Sequence, residues 1–194
     1  MKIQGKPYRT IWLADNGEDV EIIDQTKLPH EFVTVTLKTL DDAAHAISAM
    51  LVRGAPLIGA TTAYGLYLAM REDASDAALQ NAHDVLYATR PTAVNLRWAL
   101  EVGQARLSPL PETERAAAAK ALAAEICDED VAICRGIGEA GVKLIEAVAA
   151  KKAPGEVVNV LTHCNAGWLA TVDWGTATAP IYMAHDKGIP VIYT

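Results

Sequence analysis

The chain has 194 residues, 51% of them hydrophobic and 21% charged, which is the composition of a globular protein and not of a disordered one. Its 17 Lys and Arg against 24 Asp and Glu give a formal net charge of −7, which argues against a nucleic-acid partner, because nucleic-acid binders usually present a strongly basic face. The sequence contains neither an apolar run long enough for a membrane span nor a secretory signal, so we expect a cytoplasmic protein without a membrane partner.

The sequence contains three cysteines, Cys127, Cys134 and Cys164. Their number is small and odd, which argues against a disulfide framework. Together with the five histidines they form no CxxC, HExxH or other metal-binding spacing. The sequence therefore predicts neither a disulfide core nor a metal site.

Short β-like runs open the chain, at residues 8–13, 20–24 and 32–37, where Val, Ile, Thr and aromatic residues are frequent. Asp15, Asn16 and Gly17 separate the first two runs and form a typical hairpin turn. These features predict a small antiparallel sheet.

From Thr39 the apolar spacing becomes helical, and Thr39 with the acidic residues after it resembles a capping box. After an interruption at residues 53–56, the stretch 57–70 is apolar nearly all round and predicts a buried helix. Ser75 is expected to open an amphipathic helix that ends near Thr89, and Thr92 is expected to cap a helix over 93–107.

Residues 112–151 are rich in alanine and predict either one long helix or two shorter ones, with Gly136, Gly138 and Gly141 marking a break or close packing. The Ala-Pro-Gly run at 153–155 is the clearest boundary. Beyond it a strand at 157–161, a helix over about 176–187 and a strand at 189–194 predict one βαβ unit, the start of a parallel sheet.

These elements predict an α/β chain with two domains, a strand-plus-helical domain at 1–153 and the first βαβ unit of a second domain at 154–194. The second domain is expected to be incomplete here, because the chain stops inside an apolar strand whose partners would be left unsatisfied.

Two loops place an arginine at the start of a helix. Arg53 is followed by Gly54 and Ala55, so that backbone N–H groups could approach an anion while the guanidinium binds it in a bidentate manner; phosphate is the natural ligand. Arg90 stands in a similar position, and the two arginines could bind one phosphate between them. The alternative is that both loops are ordinary corners between helices with solvated arginines.

The third loop, from Thr162 to Gly167, follows the first strand of the βαβ unit, and ligands of open α/β sheets bind beyond the carboxyl ends of strands. Cys164 in this loop is a candidate reactive or polarising residue. The alternative is a buried, inert cysteine. His163 is expected to point away from Cys164 if the strand continues, which disfavours a protease-like Cys–His pair.

The chain contains, in this order and spacing, RGAPLIG at 53–59, TRPTAVNLRWAL at 89–100 and LTHCNAGWLATVDWGTATAPIYMA at 161–184. Together these motifs resemble the methylthioribose-1-phosphate isomerases, whose superfamily also holds ribose-1,5-bisphosphate isomerase and regulatory subunits of the initiation-factor exchange complex. The resemblance implies a helical N-terminal domain preceded by short strands, a C-terminal Rossmann-like domain and a homodimer. It further implies an aldose–ketose isomerisation of 5-methylthioribose 1-phosphate in methionine salvage, without cofactor or metal.

The resemblance also implies roles for single residues. Arg53, Gly54 and Ala55 match the phosphate-binding RGA of the family, and Arg90 matches its second phosphate-binding arginine. Cys164 matches the cysteine that stabilises the transition state or relays a proton, and the residues lining the same loop are Thr162, Asn165 and Gly167.

In the family the proton-donor aspartate and further substrate-binding residues follow the strand at 189–194, so the resemblance implies that this chain is an N-terminal part, which binds phosphate weakly and catalyses nothing by itself. Two alternatives stay open. One is an isomerase for ribose 1,5-bisphosphate or 5-deoxyribose 1-phosphate, and the other is a non-catalytic binding protein like the initiation-factor subunits.

Overall fold

The computed structural model describes residues 1–153 and 155–194. Its strands are β1 (Lys2–Ile3), β2 (Lys6–Pro7), β3 (Ile11–Leu13), β4 (Val20–Ile23), β5 (Thr34–Leu37), β6 (Val158–Val160) and β7 (Val191–Tyr193). Its α-helices are α1 (Leu40–Ser48), α2 (Ala55–Glu72), α3 (Asp76–Thr89), α4 (Val94–Leu107), α5 (Glu112–Ala149) and α6 (Ala179–Asp186), and a 3₁₀ turn spans Trp168–Ala170.

Strands β3, β4 and β5 form the predicted antiparallel sheet, in the order β3-β4-β5. In the turn between β3 and β4, the Asn16 side-chain oxygen accepts hydrogen bonds from the backbone N–H groups of Glu18 and Asp19, and Gly17 adopts a φ of 70°. The short ribbon of β1 and β2 was not predicted, because two-residue strands are too short to show alternation.

Helix α1 begins with the predicted capping box. The Thr39 hydroxyl accepts a hydrogen bond from the Asp42 N–H at 3.1 Å, and the Asp42 carboxylate accepts one from the Thr39 N–H at 3.0 Å. Two donors that the helix itself leaves unpaired are therefore satisfied by the sequence around its first turn.

Helix α2 is the centre of the first hydrophobic core, and every residue from Leu57 to Met70 is buried, as predicted. Its two buried threonines, Thr61 and Thr62, donate their hydroxyls to the carbonyls of Leu57 and Ile58 at 2.8 Å. Because these bonds stay within the helix, the hydroxyls are buried without an unsatisfied polar group.

Ser75 is the N-cap of α3, in line with the prediction that it opens this helix, and its hydroxyl accepts a hydrogen bond from the Ala78 N–H. The prediction that Thr92 caps α4 is wrong. The residue preceding that helix is Ala93, which offers no side-chain hydrogen bond, and its own N–H donates to the Arg90 carbonyl in a tight turn. This backbone turn stands where the sequence predicted a side-chain cap for α4.

Residues 112–149 form one continuous helix of 38 residues, α5. Gly138 and Gly141 mark close packing against α6 and no break: a Cβ on Gly141 would lie 2.5 Å from Cγ of Pro180, and one on Gly138 would lie 2.6 Å from Cε of Met183. Only residues without a side chain allow the two helices to approach this closely.

The second core lies where α5 ends and the parallel strands begin, and it contains Val142, Ile145, Val158, Ile181 and Ala184. Strands β6 and β7 pair in parallel, with Val158 opposite Val191, and α6 connects them. The mixed α/β fold, with a small antiparallel sheet, a helical body and a short parallel sheet, is therefore confirmed.

The domain boundary between 153 and 154 stays a prediction. Pro154 lies outside the described residues, and Val142 and Ile145 of α5 pack in the same core as the βαβ unit. Among the described residues, no helix is both long and apolar enough to cross a membrane.

The loop between β6 and α6 returns to the first core. The Thr10 N–H donates to the Val172 carbonyl at 3.0 Å, and the Val172 N–H donates to the Asp130 carboxylate at 2.7 Å. Val172 is itself fully buried in the first core. Burial raises the pKa of Asp130, while the bond from Val172 opposes this rise.

The packing of α5 on α6 predicts opposite effects for two glycines of one helix. Gly141→Ala should lower the free energy of unfolding by about 1–3 kcal/mol, because the new methyl group meets the rigid Pro180 ring. Gly136→Ala, with nothing within 4 Å of its Cβ, should raise it by about 0.5–1 kcal/mol through helix propensity. Urea unfolding of both variants measures the difference, and equal effects would contradict the close approach of the two helices.

Candidate functional site

A cavity of about 410 Å³ brings together residues from all three of the predicted loops. Arg53 and Gly54 come from the start of α2, Arg90 comes from the end of α3, and Asn165 comes from the loop after β6. The other lining residues are Gln25, Met50 and Leu169. The lining therefore carries two guanidinium groups and no carboxylate.

Gly54 is the residue that lets the start of α2 reach the wall of this cavity. It has a φ of 104°, in the region that favours glycine, and a Cβ there would lie 2.5 Å from the Ala170 carbonyl oxygen. No side chain caps α2, so N–H groups of its first turn have no side-chain partner. Such a helix start favours an anion.

Arg53 is held in place by Gln25. Its Nη2 donates to the Gln25 carbonyl at 3.2 Å, and the Gln25 side chain donates through Nε2 to the Leu169 carbonyl at 2.7 Å. Gln25 is buried and follows β4. Sequence reasoning missed Gln25, because a single polar residue after a strand is typical of a loop start and carries no site pattern.

The two arginines are without a carboxylate partner in the described part of the chain. Neither Arg53 nor Arg90 takes part in any of its ion pairs, which join other residues. Arg53 is exposed and Arg90 is half-buried. Two cations facing one cavity repel each other unless an anion lies between them, and a planar guanidinium suits the geometry of phosphate.

The structure places the remaining predicted residues outside the lining. Ala55 is exposed as the first residue of α2, and Thr162 extends the parallel ladder, with its N–H donating to the Thr194 carbonyl at 2.7 Å. Gly167 precedes the 3₁₀ turn and accepts from the Ala170 N–H. These residues shape the loops around the cavity without facing it.

Cys164 is exposed, so the alternative of a buried cysteine does not hold for it. It lies beside Asn165, which lines the cavity, and it has a φ of 67°. Met50, also in the lining, has a φ of 61°. Left-handed backbone is uncommon for residues with a side chain and is concentrated at functional sites.

Cys127 and Cys134, by contrast, are buried core residues of α5. Burial raises the pKa of the Cys127 thiol to about 12 and that of the Cys134 thiol to about 11. Both thiols therefore stay protonated and unreactive at neutral pH.

A second cavity, of about 360 Å³, shares Leu169 with the first and is almost wholly apolar. Its other large side chains are those of Ile3, Ile23, Leu28, Phe32 and Trp168. The Trp168 indole N–H is buried without a hydrogen-bond partner among the residues that the structure describes. An unpaired buried donor costs about 1–3 kcal/mol.

Residues 1–153 and 155–194 include no group of three or more His, Cys, Asp or Glu side chains placed to hold a metal ion. The polar side chains that line the first cavity are the guanidinium groups of Arg53 and Arg90 and the amides of Gln25 and Asn165.

Comparison with known proteins gives named relatives over almost the whole chain. The methylthioribose-1-phosphate isomerase of Paramagnetospirillum magneticum is 64% identical over 191 residues, which are 98% of this chain and 52% of the relative. The isomerase of the same name from Escherichia coli O45:K1 is 58% identical, with the same coverage. The chain thus spans about half the length of the curated relatives it matches.

Two solved structures resemble the fold. Translation initiation factor eIF-2B subunit delta from A. fulgidus superposes with a TM-score of 0.80 at 36% identity, covering 96% of this chain and 54% of that one. 5-Methylthioribose 1-phosphate isomerase from Pyrococcus horikoshii OT3 superposes with a TM-score of 0.81 at 34% identity, covering 95% and 51%. A family model described as the initiation factor 2 subunit family matches residues 51–194, and the chain belongs to that family.

Proposed function

We propose that this protein is a sugar-phosphate isomerase that converts 5-methylthioribose 1-phosphate to 5-methylthioribulose 1-phosphate in methionine salvage. The observation that carries the proposal is the cavity in which Arg53, Arg90 and Asn165 meet the start of α2. Relatives at 56–64% identity carry the name of this isomerase, which supports the choice of reaction. A cytoplasmic location and a homodimer are part of the proposal.

The phosphate of the substrate lies between the two arginines in this proposal. Each charge-assisted hydrogen bond from a guanidinium to phosphate contributes about 1.5–3 kcal/mol, and the N–H groups at the start of α2 add the positive end of the helix dipole. Because Gln25 already holds the Arg53 side chain, less side-chain entropy is lost when phosphate binds. The net charge of −7 does not oppose this binding, since distant charges are screened over about 8 Å.

The chemistry requires proton movement between C1 and C2 of the sugar. The anomeric carbon carries a phosphoester, so the ring cannot open by simple exchange, and a positioned acid is needed for that step. We assign the C1–C2 step to Cys164, which is exposed and adjacent in sequence to the cavity residue Asn165. None of the residues that line the described cavity is assigned the role of this acid.

The apolar cavity beside the arginine pair favours a substrate with an apolar 5-substituent. A methylthio group would bury its carbon and sulfur against Phe32 and Trp168, and a thioether sulfur makes favourable contacts with aromatic rings. A second phosphate there would lose its hydration without gaining a charged partner. The cavity thus supports the methylthio sugar over ribose 1,5-bisphosphate.

Isomerase assays on three sugar phosphates test the proposal. In protein expressed from its complete reading frame, kcat/KM should be highest for 5-methylthioribose 1-phosphate, lower for 5-deoxyribose 1-phosphate and lowest for ribose 1,5-bisphosphate. The apolar cavity accounts for this order. A preference for the bisphosphate would contradict it. Calorimetric binding of all three without turnover would instead indicate a non-catalytic binding protein.

Removing one guanidinium should weaken phosphate binding. Arg53→Ala should raise KM for the sugar phosphate about 10- to 100-fold with a smaller effect on kcat, because the lost bonds serve ground state and transition state alike. Inhibition by phosphate-free 5-methylthioribose should be unchanged. Arg97→Ala is the matched control, since Arg97 is exposed and pairs with Glu101 within α4. Equal KM values for the two variants would overturn the assigned role of Arg53.

Replacing the loop thiol should affect turnover instead of binding. Cys164→Ser should lower kcat by about two or more orders of magnitude at nearly unchanged KM, because the group removed acts on the reacting carbons and not on the phosphate. His163→Ala, an exposed change in the same loop, should keep most of the activity. Steady-state kinetics of both variants measure this, and a near wild-type kcat for Cys164→Ser would remove Cys164 from the mechanism.

A further inference from the structure

One half-buried carboxylate of α5, that of Asp130, binds the loop between β6 and α6 instead of a cation. Its Oδ2 accepts a hydrogen bond from the Val172 N–H at 2.7 Å. Asp130 takes part in no ion pair among residues 1–153 and 155–194. Its Oδ1 lies 3.9 Å from Sγ of Cys134, and a thiol is a weak donor. The strong bond of this carboxylate is therefore the one to the loop backbone.

The Val172 N–H depends on this carboxylate, because water does not reach it. Val172 is fully buried and packs in the first core. Its carbonyl is held as well, by the Thr10 N–H at 3.0 Å. A buried N–H without an acceptor is strongly unfavourable. Loss of the Asp130 carboxylate would therefore drive Val172 toward another acceptor or toward solvent.

The residues just before Val172 carry this effect to the arginine-lined cavity. We call residues 168–172 the wall loop. Leu169 lines the cavity, and Ala170 lies so close to Gly54 that an added Cβ there would be 2.5 Å from the Ala170 carbonyl oxygen. The backbone from Ala170 to Val172 spans at most about 7 Å, so a displacement of Val172 is transmitted to Ala170. Movement of Val172 would thus open the contact with Gly54.

Gln25 connects the wall loop to Arg53. Its side chain donates through Nε2 to the Leu169 carbonyl at 2.7 Å, and its own carbonyl accepts from Nη2 of Arg53 at 3.2 Å. Asp130 does not line the cavity. It reaches the guanidinium only through Val172, the wall loop and Gln25, and a shift of the wall loop would change the direction of Arg53.

The charge of Asp130 strengthens the hydrogen bond and lowers the stability of the fold. Hydrogen bonds to ionised acceptors are about twice as strong as neutral ones. Burial raises the pKa of Asp130, the bonds from Val172 and Cys134 lower it, and the charge of Asp173 raises it. Because the net shift is upward, the folded chain disfavours the ionised form relative to the unfolded chain at neutral pH. An asparagine would keep an oxygen acceptor for Val172 without this cost.

We propose that Asp130 is a positioning residue for the arginine-lined cavity: through the Val172 N–H it holds the wall loop against Gly54 and keeps Arg53 directed at the phosphate. The role rests on the proposed function, in which the phosphate of the substrate lies between Arg53 and Arg90.

Three variants of the protein expressed from its complete reading frame separate positioning from a general loss of stability. Asp130→Ala should raise KM for the sugar phosphate about 3- to 30-fold, with a smaller change in kcat. The calorimetric dissociation constant of inorganic phosphate should rise by the same factor. Asp130→Asn should bring both values back close to those of the wild type and unfold at no lower urea concentration. Gly141→Ala, in the contact of α5 with α6, should unfold at lower urea but leave KM and phosphate affinity unchanged.

Amide hydrogen exchange of the ligand-free protein tests the contact itself. Peptides that contain residues 168–173 should exchange faster in Asp130→Ala than in the wild type, whereas peptides from α3 should not. Glu129→Ala removes the neighbouring exposed carboxylate and should exchange like the wild type.

The two measurements distinguish failure of this role from failure of the proposed function. Faster exchange in Asp130→Ala, in a protein that turns over no sugar phosphate, would remove the isomerase and leave Asp130 as the residue that holds the wall loop. Unchanged exchange in Asp130→Ala would overturn the positioning role even where isomerase activity is found. An equal rise of KM in Gly141→Ala would overturn it too, as would an Asp130→Asn variant that is as impaired as Asp130→Ala.

Discussion

The contact between the Gly54 backbone and Ala170 is the constraint on which the candidate site depends. It joins the start of α2, the central helix of the first core, to the loop that leaves the parallel sheet. Any side chain at position 54 would push these two segments apart. The arginine pair, Gly54 and Asn165 share one cavity because a hydrogen atom stands where other residues carry a Cβ.

The loop on the other side of this contact is itself firmly attached to the first core. Gln25 binds the Leu169 carbonyl, the Thr10 hydroxyl donates to the Thr171 carbonyl at 2.6 Å, and Asp130 binds the Val172 N–H. A loop held by three separate elements has little freedom, so the cavity wall is formed before a ligand arrives. Preformed geometry of this kind lowers the entropy lost on binding.

Much of this architecture could be predicted from the sequence, for reasons that can be named. The capping box at Thr39, the buried stretch of α2 and the Asn16–Gly17 turn depend on local spacing, which sequence shows directly. The motifs around Arg53 and Arg90 likewise indicate two of the loops that meet at the arginine-lined cavity. Gln25 and the apolar cavity around Trp168 could not be predicted, because they arise from residues far apart in the chain that only the fold brings together.

The 38-residue helix α5 has a mechanical consequence for the site. It packs in both cores, so the first core and the parallel sheet are joined by a continuous rod about 57 Å long and not by a flexible linker. Hinge bending between them would require breaking helical hydrogen bonds or separating Gly141 from Pro180. Under the proposed function, a ligand would reach the cavity lined by Arg53 and Arg90 through movements of loop side chains, without bending of α5.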